Sequence, residues 1–97
     1  MYRLSTLAAE DFAAIYEYTL LNFGVHQADA YTDDLESIFL LLSNSPRIGI
    51  ELEEIAVGLR RHYHKRHAIF YREREDGIFV IRILHQQMEV DSYLLEL

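Results

Sequence analysis

Cysteine is absent from these 97 residues, so neither a disulfide framework nor a thiolate-bound metal is available. Proline occurs once, at Pro46, and 51% of the residues are hydrophobic, twelve Phe and Tyr among them. Such a composition is far from that of a disordered chain, because its apolar surface suffices to offset the entropy of ordering. The length suits one domain, residues 1–97, and leaves no room for two. No apolar run exceeds Ile38 to Leu42, well short of the about 20 residues that span a bilayer. The opening residues lack the basic-then-apolar pattern of a secretory signal, so a cytoplasmic protein is expected, with no membrane partner. There is no glycine-rich phosphate loop and no serine in a nucleophile-elbow context. The paired carboxylates Asp33-Asp34 and Glu53-Glu54 carry no sign of desolvation and read as solvated surface.

Positive charge is scarce as well, and it is unevenly placed. The net charge is −7, which argues against nonspecific nucleic-acid binding as the main activity, since coating a polyanion requires many cations. Residues 1–57 set only Arg3 and Arg47 against ten carboxylates, whereas residues 58–97 hold seven Lys and Arg against six carboxylates. Within that second part, Gly58 to Arg72 contains five of the nine cations and no carboxylate, a basic island in an acidic protein.

The hydrophobic periods give an order of elements. Tyr2 and Leu4 alternate as a short strand, and Ser5 or Thr6 can cap a following helix. Phe12, Ile15, Tyr16, Leu20 and Phe23 recur at three- and four-residue steps, predicting one buried stripe up to Gly24. A second stripe, Tyr31, Leu35, Ile38, Phe39 and Leu42, ends at Asn44-Ser45-Pro46. The short connection at Gly24 implies an antiparallel helical hairpin. Arg47 to Glu54 reads as an acidic loop. From Val57 the period changes to two, with Leu59, Arg61 and Tyr63 on one face and Arg60, His62 and His64 on the other. A turn at His64-Lys65-Arg66 and an Asp76-Gly77 hairpin turn separate further strands at Ala68 to Glu73 and Ile78 to Leu84. The expected fold is α+β: a short N-terminal strand, a helical hairpin covering one face of a three-stranded antiparallel sheet, and an accessible opposite face.

Among candidate site residues, His62 and His64 share a strand face, and His67 and His85 could approach them. The spacing is not that of a metal site and cations alternate with these histidines, so neither metal nor cofactor is expected. The arginines are more informative. Arg60 belongs with His62 and His64, whereas Arg72 and Arg82 join that face or its opposite depending on register. One reading is a solvated sheet edge whose charges discourage strand addition. The other is a surface for an acidic protein segment or a phosphate, which the planar guanidinium binds in two-point geometry.

Several local sequences, in order, resemble the ParE/RelE superfamily of bacterial toxins: Asp11-Phe12, Ile15-Tyr16-Glu17-Tyr18, Gly24, Gln27-Ala28 and Tyr31, then Pro46, Gly49, Gly58-Leu59-Arg60, His67 to Tyr71 and Ile81 to His85. The resemblance spans about residues 2–93 and implies the toxin of a type II toxin–antitoxin pair, of the kind associated with plasmid stabilisation. RelE-like members cut messenger RNA on the ribosome with a basic cluster and often a late tyrosine; ParE-like members block DNA gyrase. Where the nuclease branch tends to place arginine, this chain has His67 and Gln86-Gln87, and the resemblance is to the ParE branch. It implies inhibition of gyrase without catalysis, and a cognate antitoxin, ParD-like, with a ribbon-helix-helix portion and a flexible toxin-binding segment. The residues so implicated in antitoxin or target binding are Arg60, Arg61, His67, Tyr71, Arg72, Arg82, His85, Met88 and Tyr93. The alternative, a ribosome-dependent endoribonuclease, would use His67, His85 and Tyr93. A third reading is a toxin-derived binding protein without toxicity. The tail from Gln86 to Leu97 keeps Met88, Tyr93, Leu94, Leu95 and Leu97 in a polar setting, and its apolar residues are expected to dock.

Overall fold

The computed structural model describes residues 1–88. Strand β1 (Tyr2–Leu4) leads into helices α1 (Thr6–Phe23) and α2 (Val25–Asn44), followed by a 3-10 turn at Pro46–Ile48. Strands β2 (Ile50–Glu51), β3 (Leu59–His64), β4 (His67–Arg74) and β5 (Gly77–His85) complete the order. The fold is α+β as expected, but its sheet has five strands rather than three, arranged β1-β5-β4-β3-β2. The meander β3-β4-β5 is its centre. Strand β1 is the expected short N-terminal strand and pairs parallel with β5, whereas β2, within the stretch expected to be loop, is too short to show a period and pairs antiparallel with β3.

Ser5 ties the helices to the sheet. Its hydroxyl accepts from the Ala8 amide at 2.9 Å, capping α1, and donates to the Ile81 carbonyl at 2.7 Å. Its own amide donates to Val80 O at 2.9 Å. Ile81 is the extra residue of a bulge, since Phe70 lies opposite Arg82 while Tyr71 lies opposite Val80. A bulge locally breaks the ladder, and the Ser5 hydroxyl supplies a donor there.

Helix α2 buries Leu35, Phe39 and Leu42, as its period predicts. Helix α1 follows its predicted stripe only in part. Ile15 is buried, and Phe12 packs against the core, but Leu20 and Phe23 are exposed while Thr19 is buried. All of residues 20–27 are exposed: an 18-residue helix extends about 27 Å, and its last turn carries the stripe beyond the packed core. Gly24 alone separates the helices, with φ +91°, a conformation that strains residues bearing a Cβ.

Apolar side chains lie on both sides of the sheet. The helix side gathers Ile69, Tyr71, Ile78, Val80 and Ile83 beneath Ala8, Ile15, Leu35, Phe39 and Leu42. The opposite side holds Leu59, Ala68, Phe70, Ile81 and Leu84, and the segment after β2 folds over them with Leu52, Ile55 and Ala56. The expected accessible face is therefore partly roofed, because its strands alternate apolar with apolar rather than apolar with polar. The β4–β5 turn also shifts by one residue: Glu75-Asp76 form the loop, while Gly77 pairs with Arg74. At Gly77 φ is +144°, and a Cβ there would run into the Met1 carbonyl oxygen.

Candidate functional site

The register assigns the arginines to faces. Arg60 lies opposite Tyr71, and Leu59 lies opposite Arg72. Residues paired across a ladder share a face, so Arg60 sits on the helix side, and Arg72 joins Arg61 on the helix-free side. Phe79 lies opposite both Arg72 and Arg3, and Arg74 follows Arg72 by two. Arg3, Arg61, Arg72 and Arg74 thus occupy one face, and no strand position there carries a carboxylate. Of these, Arg3 and Arg74 were not among the expected residues; the parallel pairing of β1 places Arg3, and no local sequence signal announces it.

Aromatic rings support this face. The Arg61 guanidinium stands 4.6 Å from the Tyr63 ring centroid, and that of Arg74 5.0 Å from Phe79. Such stacking holds a guanidinium flat while leaving its edge available. Among the described residues, the buried Nε atoms of Arg61 and Arg72 have no hydrogen-bond partner. A buried donor left unpaired costs about 1–3 kcal/mol, so both arginines are poised to gain from an oxyanion brought to them. Arg3, Arg74 and Phe79 also border a surface cavity of about 370 Å³, which Asp76 lines from its rim.

The other expected arginines are already engaged. Arg60 donates to Gly49 O at 2.7 Å and to the Glu51 carboxylate at 2.8 Å, holding β2 against β3. Arg82 forks onto Asp11 of α1, with Nε 2.8 Å and Nη2 2.9 Å from the two carboxylate oxygens, and Ile83 N–H donates to the same carboxylate at 3.0 Å. Beyond the end of β1, Asp11 thus satisfies an exposed amide of β5. Tyr71 is fully buried; its hydroxyl donates to Pro46 O at 2.7 Å and accepts from Gly49 N at 2.9 Å. It anchors the 3-10 turn from within the core.

The histidines gather on the helix side near the β3–β4 turn. His64 pairs with His67 and His67 with His85. The rings of His67 and His85 meet edge to face at 5.5 Å, and the Tyr31 hydroxyl lies 2.6 Å from His67 Nδ1. Burial, reinforced by His85 and His64, lowers the His67 pKa to about 4, and burial also lowers that of His64. Burial raises the pKa of Tyr31. At neutral pH a neutral phenol thus meets a neutral imidazole, and the histidine tautomer decides which of the two donates. Among the described residues no three His, Cys, Asp or Glu converge as a metal site. The His85 ring accepts from Gln87 N at 3.2 Å. Met88 is exposed, and Tyr93, with the rest of the tail expected to dock, lies outside the described residues. Tyr31, which completes the cluster, was read only as a core position of α2; its hydroxyl was the overlooked signal.

Comparison with known proteins accords with this architecture. Residues 2–90 match the family described as the ParE toxin of the type II toxin–antitoxin system parDE. Toxin ParE1 of Mycobacterium tuberculosis is 37% identical over 94 residues, covering 96% of each chain. Toxin ParE1 of Caulobacter vibrioides is 33% identical over 93 residues, again covering 96% of each. A solved structure titled as a chromosomal ParDE toxin–antitoxin system from P. aeruginosa superposes with a TM-score of 0.73 at 20% identity, covering 87% of this chain and 92% of that one, which speaks to the fold. With nearly its whole length matched, the chain belongs to the ParE toxin family of type II toxin–antitoxin systems.

Proposed function

We propose that the chain inhibits DNA gyrase and is neutralised by an antitoxin whose acidic segment docks across the helix-free sheet face. The observation that carries the antitoxin half is the arginine set itself: four arginines on one face and, among the described residues, no strand carboxylate beside them and no partner for two buried Nε donors. Carboxylates of a flexible segment would satisfy those donors in charge-assisted hydrogen bonds, and the half-buried Phe79 and exposed Tyr63 would take its hydrophobic side chains. Such a segment loses ordering entropy only as it docks.

Family membership supports gyrase as the target, and the state of His67 supports it over RNA cleavage. A general base works best with a pKa near the operating pH, whereas His67 is pushed to about 4 and its Nδ1 is occupied by Tyr31. The test compares gyrase supercoiling and accumulation of cleaved DNA with ribosome-dependent cleavage of messenger RNA, each with and without the neighbouring gene's product. Loss of supercoiling with intact RNA is expected. Codon-specific RNA cuts with supercoiling untouched would reassign the protein to the nuclease branch.

A further inference from the structure

We propose that the exposed end of the helical hairpin is the surface that engages the target, and that the target meets it with a cation-lined, partly apolar protein surface of the kind that otherwise holds a nucleic-acid backbone. The proposal rests on the gyrase reading and assigns that reading a contact surface. Tyr18, Leu21, Phe23 and Val25 crowd the tip with 63%, 75%, 65% and 52% of their surfaces exposed. Large apolar side chains left exposed within so short a stretch of chain fit a contact surface rather than a core. From Thr6 to Asn44 there is no lysine or arginine, against seven carboxylates. Asp11 is paired with Arg82, and Asp34 with Lys65. Glu10, Glu17, Asp29, Asp33 and Glu36 meet no cation among the described residues.

Their spacing is ordered. At about 100° per residue, Asp29, Asp33 and Glu36 fall in one stripe of α2 that runs towards Val25, and Glu10 and Glu17 fall in one stripe of α1 that runs towards Leu21. The hairpin therefore presents an apolar tip flanked by rows of negative charge.

Charge decides the occupant. An acidic antitoxin segment drawn to the arginine face is repelled by this one. A surface built to bind DNA carries the complementary sign, and the hairpin would compete with DNA for it. The basic face of a second copy has that sign too, and the experiment separates the two.

Two variants are compared with the full wild-type chain, one removing the apolar tip (Tyr18→Ser, Leu21→Ser and Phe23→Ser) and one reversing charge (Glu17→Lys and Asp33→Lys). Supercoiling inhibition, direct binding to gyrase at low and high salt, binding to the antitoxin, sedimentation and thermal melting are measured for each. All five positions are exposed, so unchanged melts are expected. Each variant should lose about tenfold or more in gyrase affinity while keeping its affinity for the antitoxin. Wild-type binding should weaken with salt, because exposed charges are screened beyond about 8 Å at physiological ionic strength, and linear DNA should displace it. Variants that fold and still inhibit like wild type overturn the proposal. So does loss of antitoxin binding with gyrase binding intact, or loss only of self-association. If the wild-type chain itself neither binds nor inhibits gyrase, the gyrase reading fails, and the proposal with it.

Discussion

The helical hairpin and the sheet segregate charge by element. From Thr6 to Asn44 the chain places six of its seven carboxylates on solvent-facing helix positions and carries no Lys or Arg, while the helix-free sheet face, among the described residues, carries arginines and no strand carboxylate. A net charge of −7 alone conceals this division. The two signs meet in two places with different consequences. Lys65 and Asp34 pair directly at 3.3 Å with both side chains about half exposed, a contact of small energetic weight. Asp11 and Arg82 pair at 2.8 Å with side chains only 15% and 13% exposed, and Asp11 also accepts from the β5 backbone. The same chemistry is dispensable at one junction and structural at the other because burial differs.

Breaking the buried junction should have the largest effect. Asp11→Ala removes the carboxylate that the Arg82 guanidinium and the Ile83 amide share, and should cost about 3–5 kcal/mol in urea unfolding. An apolar pair, Asp11→Leu with Arg82→Met, should recover much of that loss, since both charges leave the site together. Lys65→Ala should change stability by less than about 1 kcal/mol.

Next in size is the double reversal Arg61→Glu and Arg72→Glu on the sheet face. Antitoxin affinity, measured by calorimetry on a variant shown to fold by circular dichroism, should fall by about 2–5 kcal/mol. Arg60→Ala, by contrast, removes a side chain already committed to Gly49 and Glu51, and should loosen β2 while leaving antitoxin affinity close to wild type. Tyr71→Phe should cost about 1–3 kcal/mol, because it orphans the buried Gly49 amide and the Pro46 carbonyl.

A further, modest effect comes from acid. His67 titrates near its ordinary value of 6.5 when unfolded and near 4 when folded, facing Tyr31, His64, His85 and Asp11. Its folded pKa is depressed, so the unfolded chain binds the extra proton. Its stability contribution is complete above pH 6.5 and lost progressively as pH falls towards 4. Because the ring is only partly buried, solvent screening reduces the loss to about 1–2 kcal/mol. His67→Phe should flatten that part of the stability profile.

Much of this architecture was legible in the sequence. The two helices, their joint at Gly24, the Ser5 cap and the three-strand meander follow from spacing and capping chemistry. Strand β2 did not, since two residues carry no period, and the apolar residues that roof the second sheet face read as loop. Pairing partners set the rest. Arg60 and Arg72 could be grouped only by guessing a register, and their separation to opposite faces reverses which arginine accompanies Arg72. Tyr71 and Arg82 were singled out by residue type, yet burial and long-range partners give them structural work. His67 and His85 were expected to lie together and do so, but no local pattern announced that Tyr31 would occupy the His67 nitrogen.

The division of labour between the two faces can be read most directly at the arginine side chains themselves. The Nε–H signals of Arg61 and Arg72 should appear in a nitrogen-15 correlation spectrum of the free protein, since both donors are buried. On titration with a peptide carrying the antitoxin's acidic segment, these two signals should shift and saturate together with the β3 and β4 amides, while those of residues 17–36 stay in place. Stationary Nε–H signals, with the hairpin amides moving instead, would contradict the assignment of the arginine face to the antitoxin.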